Sequence, residues 1–213
     1  SSGKDSAWSL HILRQTPGIE VVGLLTTLNA AFNRVAMHGV RRDVLEAQAV
    51  AAGLPLHVVE LPWPCSNEEY EQRMGAFVKT ALDEGIEAMA FGDLYLEEIR
   101  KYREDKLAST GFKTVFPLWQ RDTTALAREM ILGGLETRLS VVDVSKLDAS
   151  FAGRAYDAAL LDDLPAGIDP CGENGEFHTC VTSGPMFAHT IAVTVGETVI
   201  RDGFAFADLQ LAR

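Results

Sequence analysis

The chain begins Ser-Ser-Gly-Lys-Asp-Ser, a short polar stretch that runs directly into a helical pattern. Backbone amides at the start of a helix have no helical partner and lie at the positive end of the helix dipole. A glycine-containing turn at this point therefore suits an anion, typically a phosphate group. The stretch predicts a nucleotide site, although polar chain ends are often rich in Ser and Gly.

The elements that must position this loop alternate between strand-like and helix-like segments. An apolar run at 21–28 and the segment 56–61 favour strands, and the Ala-rich segment 41–55 favours a helix that stops at Gly53. Further on, Ser66 and Glu69 have the spacing of a capping box, and Asp122 can cap another helix. This alternation predicts an α/β fold with a parallel, Rossmann-like sheet between layers of helices.

The pattern changes after about residue 130. One more strand and a short helix within 154–164 precede a loop rich in Gly and Pro. Apolar and polar residues then alternate around Gly196 and Gly203, as in an antiparallel hairpin. We expect an ATP-binding domain over 1–130 and a smaller α+β domain over 131–213.

Composition excludes several classes of protein. The formal net charge is −11, which argues against a nucleic-acid partner because affinity for such polyanions comes mainly from Lys and Arg. No apolar run approaches the roughly 20 residues that cross a bilayer, so no membrane association is expected. Three cysteines do not form a disulfide framework and favour a reducing cytoplasm.

The opening loop resembles the S-G-G-x-D-S signature of the PP-loop ATP pyrophosphatases, with Ser2 in place of the first glycine. Four other segments, "MHGVR", "GDLYLEEIRKYRE", "FPLWQRDT" and "GIDPCGENGEFHT", follow in the order and spacing of one branch of that superfamily. This branch contains diphthine ammonia ligase and relatives described as ATP-binding proteins. The resemblance covers nearly the whole chain. It implies that the first strand of the sheet lies upstream of Ser1.

The resemblance also implies a chemistry and its residues. ATP would be cleaved between the α and β phosphates to adenylate a carboxylate, and ammonia or an amine would then displace AMP to form an amide. Mg²⁺ is the expected metal, with Asp5 as its expected ligand. Asp5 would otherwise orient the loop. The residues expected to bind ATP are Ser1, Ser2, Gly3, Lys4, Asp5, Ser6, His38 and Asp93, with Lys4 and Asp5 also catalytic.

A second polar cluster is the expected acceptor site: Glu173, Asn174, Glu176, His178 and Thr179. The two glutamates could bind an amine or ammonium group, and His178 could accept a proton because the pKa of histidine lies near neutral pH. The alternative is a plain polar turn, with Asn174 and Gly175 forming a tight hairpin.

Other interpretations stay open at this point. The chain could be a regulatory protein that holds an adenine nucleotide without turnover, or a sulfur-transfer enzyme of the same superfamily. His38 could be a loop histidine whose hydrogen bonds are satisfied within the protein, and Asp93 could be a helix cap. Cys171, His178 and Cys180 lack a fourth ligand for zinc. A homodimer is possible, and the identity of the acceptor is not fixed by the sequence.

Overall fold

The computed structural model describes residues 2–212, a mixed α/β chain with six α-helices and nine strands. The first half contains α1 (Lys4–Gln15), β1 (Leu24–Asn29), β2 (Arg34–Val35), α2 (Arg42–Ala52), β3 (Leu56–Leu61), α3 (Asn67–Asp83), β4 (Ala88–Ala90), α4 (Glu97–Leu107), β5 (Lys113–Val115) and α5 (Thr123–Leu132). The second half contains β6 (Glu136–Asp143), a 3₁₀ turn (Ala149–Phe151), α6 (Ala158–Asp163), β7 (Phe177–Ser183), β8 (Val193–Arg201) and β9 (Phe204–Leu211).

Local signals in the sequence set several helix boundaries. Helix α2 ends at Gly53, which adopts the left-handed conformation with φ of 64°. The side chain of Ser66 accepts from the amide of Glu69, and the side chain of Glu69 accepts from the amide of Ser66, which completes the capping box of α3. Asp122 caps α5 by accepting from the amide of Ala125. These three predictions are confirmed.

Two βαβ units make up the parallel part of the fold. Strand β1 pairs with β3 through α2, and β4 pairs with β5 through α4, both in parallel. The two-residue strand β2 adds antiparallel to the end of β1. The expected parallel pairing is therefore present, but the described strands form two separate parallel sheets.

The second half forms a four-stranded antiparallel sheet in the order β7-β6-β9-β8. Strands β8 and β9 are joined at Asp202 and Gly203, whose positive φ values of 50° and 82° are those of a type I′ hairpin turn. The hairpin expected around Gly203 is confirmed.

The two halves share one apolar core. Trp8 and Leu10 of α1 pack in the same buried cluster as Leu139 of β6 and Phe177 of β7. Because the core is continuous, a boundary near residue 130 stays a prediction. No helix within residues 2–212 is long and apolar enough to cross a membrane.

Candidate functional site

The N-terminal loop lies along the free edge of β7. The amide of Val181 donates to the carbonyl oxygen of Ser2 at 3.1 Å, and the amide of Lys4 donates to Oγ1 of Thr179 at 3.0 Å. Ser2 and Lys4 are both buried by this contact. The antiparallel sheet thus holds the start of α1 in a fixed position.

A buried glutamine of α2 holds the same loop from the other side. Nε2 of Gln48 donates to the carbonyl oxygen of Ser2 at 3.0 Å and to that of Val181 at 2.7 Å. Only 5% of the Gln48 surface is exposed. Since two acceptors occupy the two hydrogens of this amide, Gln48 fixes the direction of the Ser2 carbonyl.

His38 packs against the loop at Gly3, and His178 packs against the His38 ring. A Cβ atom at Gly3 would lie 2.7 Å from Cε1 of His38, so only glycine permits this approach. Nδ1 of His38 donates to the carbonyl oxygen of Thr179 at 3.1 Å, and the ring centroids of His38 and His178 are 4.8 Å apart. His38 and His178 therefore shape the loop and its contact with β7.

Both imidazoles are neutral at physiological pH. Burial, with a smaller effect of His178, lowers the pKa of His38 to about 3. Burial and the charge of Lys4 lower the pKa of His178 to about 4. The expectation that His178 titrates near neutral pH is therefore wrong for the folded chain, because the imidazole is largely buried and lies near the charge of Lys4.

The ammonium of Lys4 points toward the second half of the chain. Nζ lies 2.8 Å from each carboxylate oxygen of Asp5, donates to the carbonyl oxygen of Cys171, and sits 5.8 Å from the ring centroids of Tyr156 and Phe177. Burial lowers the pKa of Lys4, but the charges of Asp5, Cys171 and Asp169 outweigh this effect and raise it overall. Lys4 is thus a charged link between the loop and the segment that contains Cys171.

Polar groups of the loop remain available to an anion. Oγ of Ser2 is buried and has no hydrogen-bond partner within residues 2–212. The amides of Asp5 and Ser6 lie in the first turn of α1, where no helical carbonyl can accept from them. Together with the helix dipole, these donors fit a phosphate group. Ser1, also expected in this site, lies outside the described residues.

The Asp5 carboxylate does not fit a Mg²⁺ ligand in this geometry. Both of its oxygens accept from the ammonium of Lys4, so a metal ion would have to displace that cation. The Asp5 role in Mg²⁺ binding stays a prediction.

The acidic segment 169–176 folds around its own backbone beside the loop. Asp169 accepts from the amides of Cys171 and Glu173, and its own amide donates to Oε1 of Glu176 at 3.1 Å. Nδ2 of Asn174 also donates to Oε1 of Glu176 at 3.2 Å, while Oε2 of Glu176 is buried with no partner in residues 2–212. A buried carboxylate oxygen without a donor suits a positively charged or N–H-bearing ligand.

Glu173 connects this segment to the loop that follows β4. Its Oε1 accepts from the amide of Leu94 at 2.8 Å. Burial raises the pKa of Glu173 to about 7; the amides of Leu94 and Tyr95 oppose this shift, and the charges of Asp5 and Asp93 add to it. A carboxyl group with this pKa can exchange a proton near neutral pH, as His178 cannot.

Asp93 is held by a cation instead of facing an open site. Its carboxylate contacts Nε of Arg103 at 2.5 Å and NH2 at 3.1 Å, and the guanidinium of Arg103 lies 4.6 Å from the ring centroid of Phe91. The alternative of a helix cap is not supported either, since α4 is capped at Leu96 without a side-chain bond. Asp93 as an ATP ligand remains a prediction that this ion pair disfavours.

The site contains residues that the sequence did not single out. Gln48 is the only amide on the buried face of α2, between Val44, Leu45 and Ala52, and a polar residue on such a face could have signalled it. Asp169 lies within the quoted motif, yet its role as an acceptor for three neighbours depends on the loop conformation. Tyr95 also lies within a quoted motif, but its hydroxyl reaches Asp169, at 3.4 Å, only through the folding of the two loops.

The chain belongs to the diphthamide synthase family, whose N-terminal domain matches residues 1–114 and whose C-terminal domain matches residues 122–211.

Individual relatives carry the name diphthine–ammonia ligase. The chain is 26% identical to the Schizosaccharomyces pombe protein over 93% of this chain and 36% of the relative. It is 25% identical to the human protein over 100% of this chain and 88% of the relative, and 26% identical to the Danio rerio protein over 100% and 91%. The chain thus spans about a third of the yeast relative and nearly all of the human one.

Proposed function

We propose that this chain is an ATP-dependent ligase that adenylates a carboxylate and then transfers ammonia or an amine to it. One observation carries the proposal: the loop suited to phosphate and the acidic segment suited to an amine are in direct contact. The ammonium of Lys4 donates to Cys171, within that segment, and the amide of Lys4 donates to Thr179, just after it. A reaction that joins ATP to a second substrate needs two such sites side by side.

The nucleotide phosphates would bind at the start of α1. The hydroxyls of Ser2 and Ser6 and the amides of Asp5 and Ser6 supply preorganised donors, which stabilise charge as it develops on the leaving pyrophosphate. Lys4 acts as a positioning residue, because its ammonium holds Asp5 and Cys171 in place behind the loop. Gly3 and His38 hold the loop backbone against β7.

The first step is an exchange at the α phosphate. A carboxylate oxygen of the acceptor attacks the α phosphorus, the bond to the bridging oxygen of the β phosphate breaks, and pyrophosphate leaves. The product is an acyl adenylate, which reacts with a nitrogen nucleophile far more readily than the free carboxylate does.

The second step forms the amide. The nitrogen attacks the acyl carbon, AMP leaves with the electron pair of the broken C–O bond, and a proton from the nitrogen must be removed. We assign this proton to Glu173, whose half-buried carboxyl has a pKa of about 7 and lies beside the loop after β4. Glu176 and Asn174 would hold the nitrogen donor or the acceptor, and neutral His178 and Thr179 would line the site as hydrogen-bonding groups.

The names of the relatives suggest the acceptor class. We propose a carboxylate like that of diphthine, on a protein side chain or a small molecule, with ammonia as the nitrogen donor.

We also propose that the two parallel βαβ units form the two sides of a Rossmann-like ATP domain. The contact between Gly92, after β4, and the first turn of α1 supports this arrangement. A Cβ at Gly92 would lie 2.9 Å from the Ser6 amide nitrogen.

The test is amide formation from labelled ammonia. The chain is incubated with ATP, Mg²⁺, ¹⁵N-ammonium and elongation factor that bears diphthine, and the modified residue is examined by mass spectrometry. We expect ¹⁵N in the product with the wild-type chain and at least about 100-fold less with Glu173→Gln, because general base catalysis contributes 10² or more. Glu84→Gln, at an exposed position, is the control.

Other results would support the alternatives. ATP binding without any product would favour a regulatory nucleotide-binding protein. Incorporation of sulfur from added sulfide, with none of nitrogen, would favour a sulfur-transfer enzyme.

A further inference from the structure

Strand β8 leaves one edge of the antiparallel sheet open. It is the terminal strand in the order β7-β6-β9-β8, and eight of its nine residues are exposed. Val199 and Ile200 are 42% and 63% exposed, although valine and isoleucine favour the interior of sheets. A long exposed edge with such residues is a template for pairing with another strand.

The register of the hairpin shows which backbone groups face outward. Arg201 pairs with Phe204 across the two-residue turn, and Val199 pairs with Phe206, so their N–H and C=O groups point toward β9. Gly203 lies just before β9, and its carbonyl oxygen accepts from the amide of Val144. This bond on the β6 side agrees with Phe204 and Phe206 directing their backbone groups toward β8. The N–H and C=O groups of Thr198 and Ile200 therefore point away from the sheet.

We propose that β8 pairs antiparallel with β8 of a second copy of this chain, about a two-fold axis at Val199. In this register Val199 lies opposite its own copy, and Thr198 and Ile200 exchange hydrogen bonds with each other across the axis. The two four-stranded sheets then join into one sheet of eight strands. An isologous contact of this kind closes after two subunits.

Charge selects this register over its neighbours. With the axis at Val199, Glu197 of one copy lies opposite Arg201 of the other, twice in each dimer. An axis at Glu197 would place the two Glu197 carboxylates together, and an axis at Thr198 or Ile200 would leave both charges without a partner of opposite sign. Opposite charges across a strand pair stabilise it, whereas like charges destabilise it.

A bulge in β8 limits the part of the strand that can pair with a second copy. The register of β8 on β9 shifts between Val195 and Thr198, a bulge that turns the first half of the strand away from a straight edge. Arg201 lies 6.0 Å from the ring of Phe32, a weak contact that leaves its charge free to meet Glu197. Regular pairing of β8 with β9 resumes at Thr198, so the backbone pairing between copies is confined to 198–200, with Glu197 and Arg201 at its two ends.

Sedimentation equilibrium on the full chain tests the proposal. We expect a concentration-dependent species with twice the 23.2 kDa mass of the chain. Glu197→Arg and Arg201→Glu each place like charges opposite one another, so each should weaken the dimer on the order of tenfold. The double variant E197R/R201E restores opposite charges and should recover the wild-type dissociation constant.

A second variant tests the backbone pairing. Ile200→Pro removes an outward N–H without touching the bonds to β9, and it should also weaken the dimer at least tenfold, with the unfolding temperature of the monomer as the check on folding. A chain that stays monomeric at all concentrations overturns the proposal. So does a dimer that responds to none of these variants, or a double variant as weak as the single ones.

Discussion

The ammonium of Lys4 donates to the carbonyl oxygen of Cys171, which lies 167 residues further along the chain. The same ammonium contacts both carboxylate oxygens of Asp5 at 2.8 Å. One buried cation therefore ties the loop at the start of α1 to the acidic segment of the second half. The relative position of the two proposed substrate sites depends on this contact.

Replacing Lys4 should cost stability as well as activity. Lys4→Met leaves the Cys171 carbonyl without its donor and Asp5 without its cation, and breaking such a partly buried pair destabilises by about 2–4 kcal/mol. Urea unfolding measures this loss. Lys79→Met, which removes an exposed i,i+4 pair with Asp83, serves as the control and should change stability by less than about 0.5 kcal/mol. Equal effects of the two variants would contradict the role given to Lys4.

Gln48 should affect nucleotide affinity from a position outside the loop. Gln48→Leu removes the donor to the carbonyls of Ser2 and Val181, which costs about 1–3 kcal/mol of stability and loosens the loop. We expect the dissociation constant for ATP, measured by calorimetry on the folded variant, to rise about tenfold. Gln72→Leu, on the exposed face of α3, is the control. A Gln48 variant that is less stable but binds ATP as tightly would mean that Gln48 does not position the loop.

The pKa of Glu173 predicts how stability depends on pH. Burial raises this pKa to about 7, whereas the unfolded chain has a value near ~4.3. Between these values the folded state holds more protons, so the contribution of Glu173 to stability falls as pH rises. Because the side chain is partly exposed, we expect a loss of about 1–2 kcal/mol from pH 4 to pH 8.

The Glu173→Gln variant isolates this contribution. It retains an oxygen for the amide of Leu94 but cannot ionise, so its stability relative to wild type should increase over that pH range. Denaturant unfolding at several pH values measures the difference. A difference that is constant with pH would show that Glu173 titrates normally in the folded chain.

His178 should have the opposite pH dependence. Burial lowers its pKa to about 4, below the ~6.5 of the unfolded chain, so the unfolded state binds more protons as pH falls below ~6.5. His178→Gln removes this loss of stability at low pH. Its free energy of unfolding relative to wild type should therefore rise by about 1–2 kcal/mol between pH 7.5 and pH 5. Thermal unfolding at both pH values measures it, and an unchanged gap between the two proteins would argue against a buried neutral imidazole.

Much of the local structure could be predicted because short-range signals determine it. The capping box at Ser66, the cap at Asp122, the helix stop at Gly53 and the turn at Gly203 each depend on neighbours within a few residues. The parallel order of strands depends on contacts between distant segments. This is why the sequence predicted one parallel sheet where the described strands form two pairs.

The candidate site shows the same difference between local signals and distant contacts. Residues of recognisable motifs, such as Lys4 and Glu173, could be named from the sequence, but their partners could not. Lys4 contacts Cys171, 167 residues away, because of long-range packing that no local pattern contains. The neutral state of His178 follows from its burial next to Lys4, so its ordinary pKa was a poor guide.

The products of ATP turnover show whether this chain cleaves ATP between the α and β phosphates. The chain is incubated with ATP labelled at the α phosphate, with Mg²⁺, ammonium and diphthine-bearing elongation factor, and the labelled products are separated. We expect labelled AMP and an equal amount of pyrophosphate, formed only when the acceptor is present. Labelled ADP with free phosphate would contradict cleavage between the α and β phosphates and the proposed ligase chemistry with it.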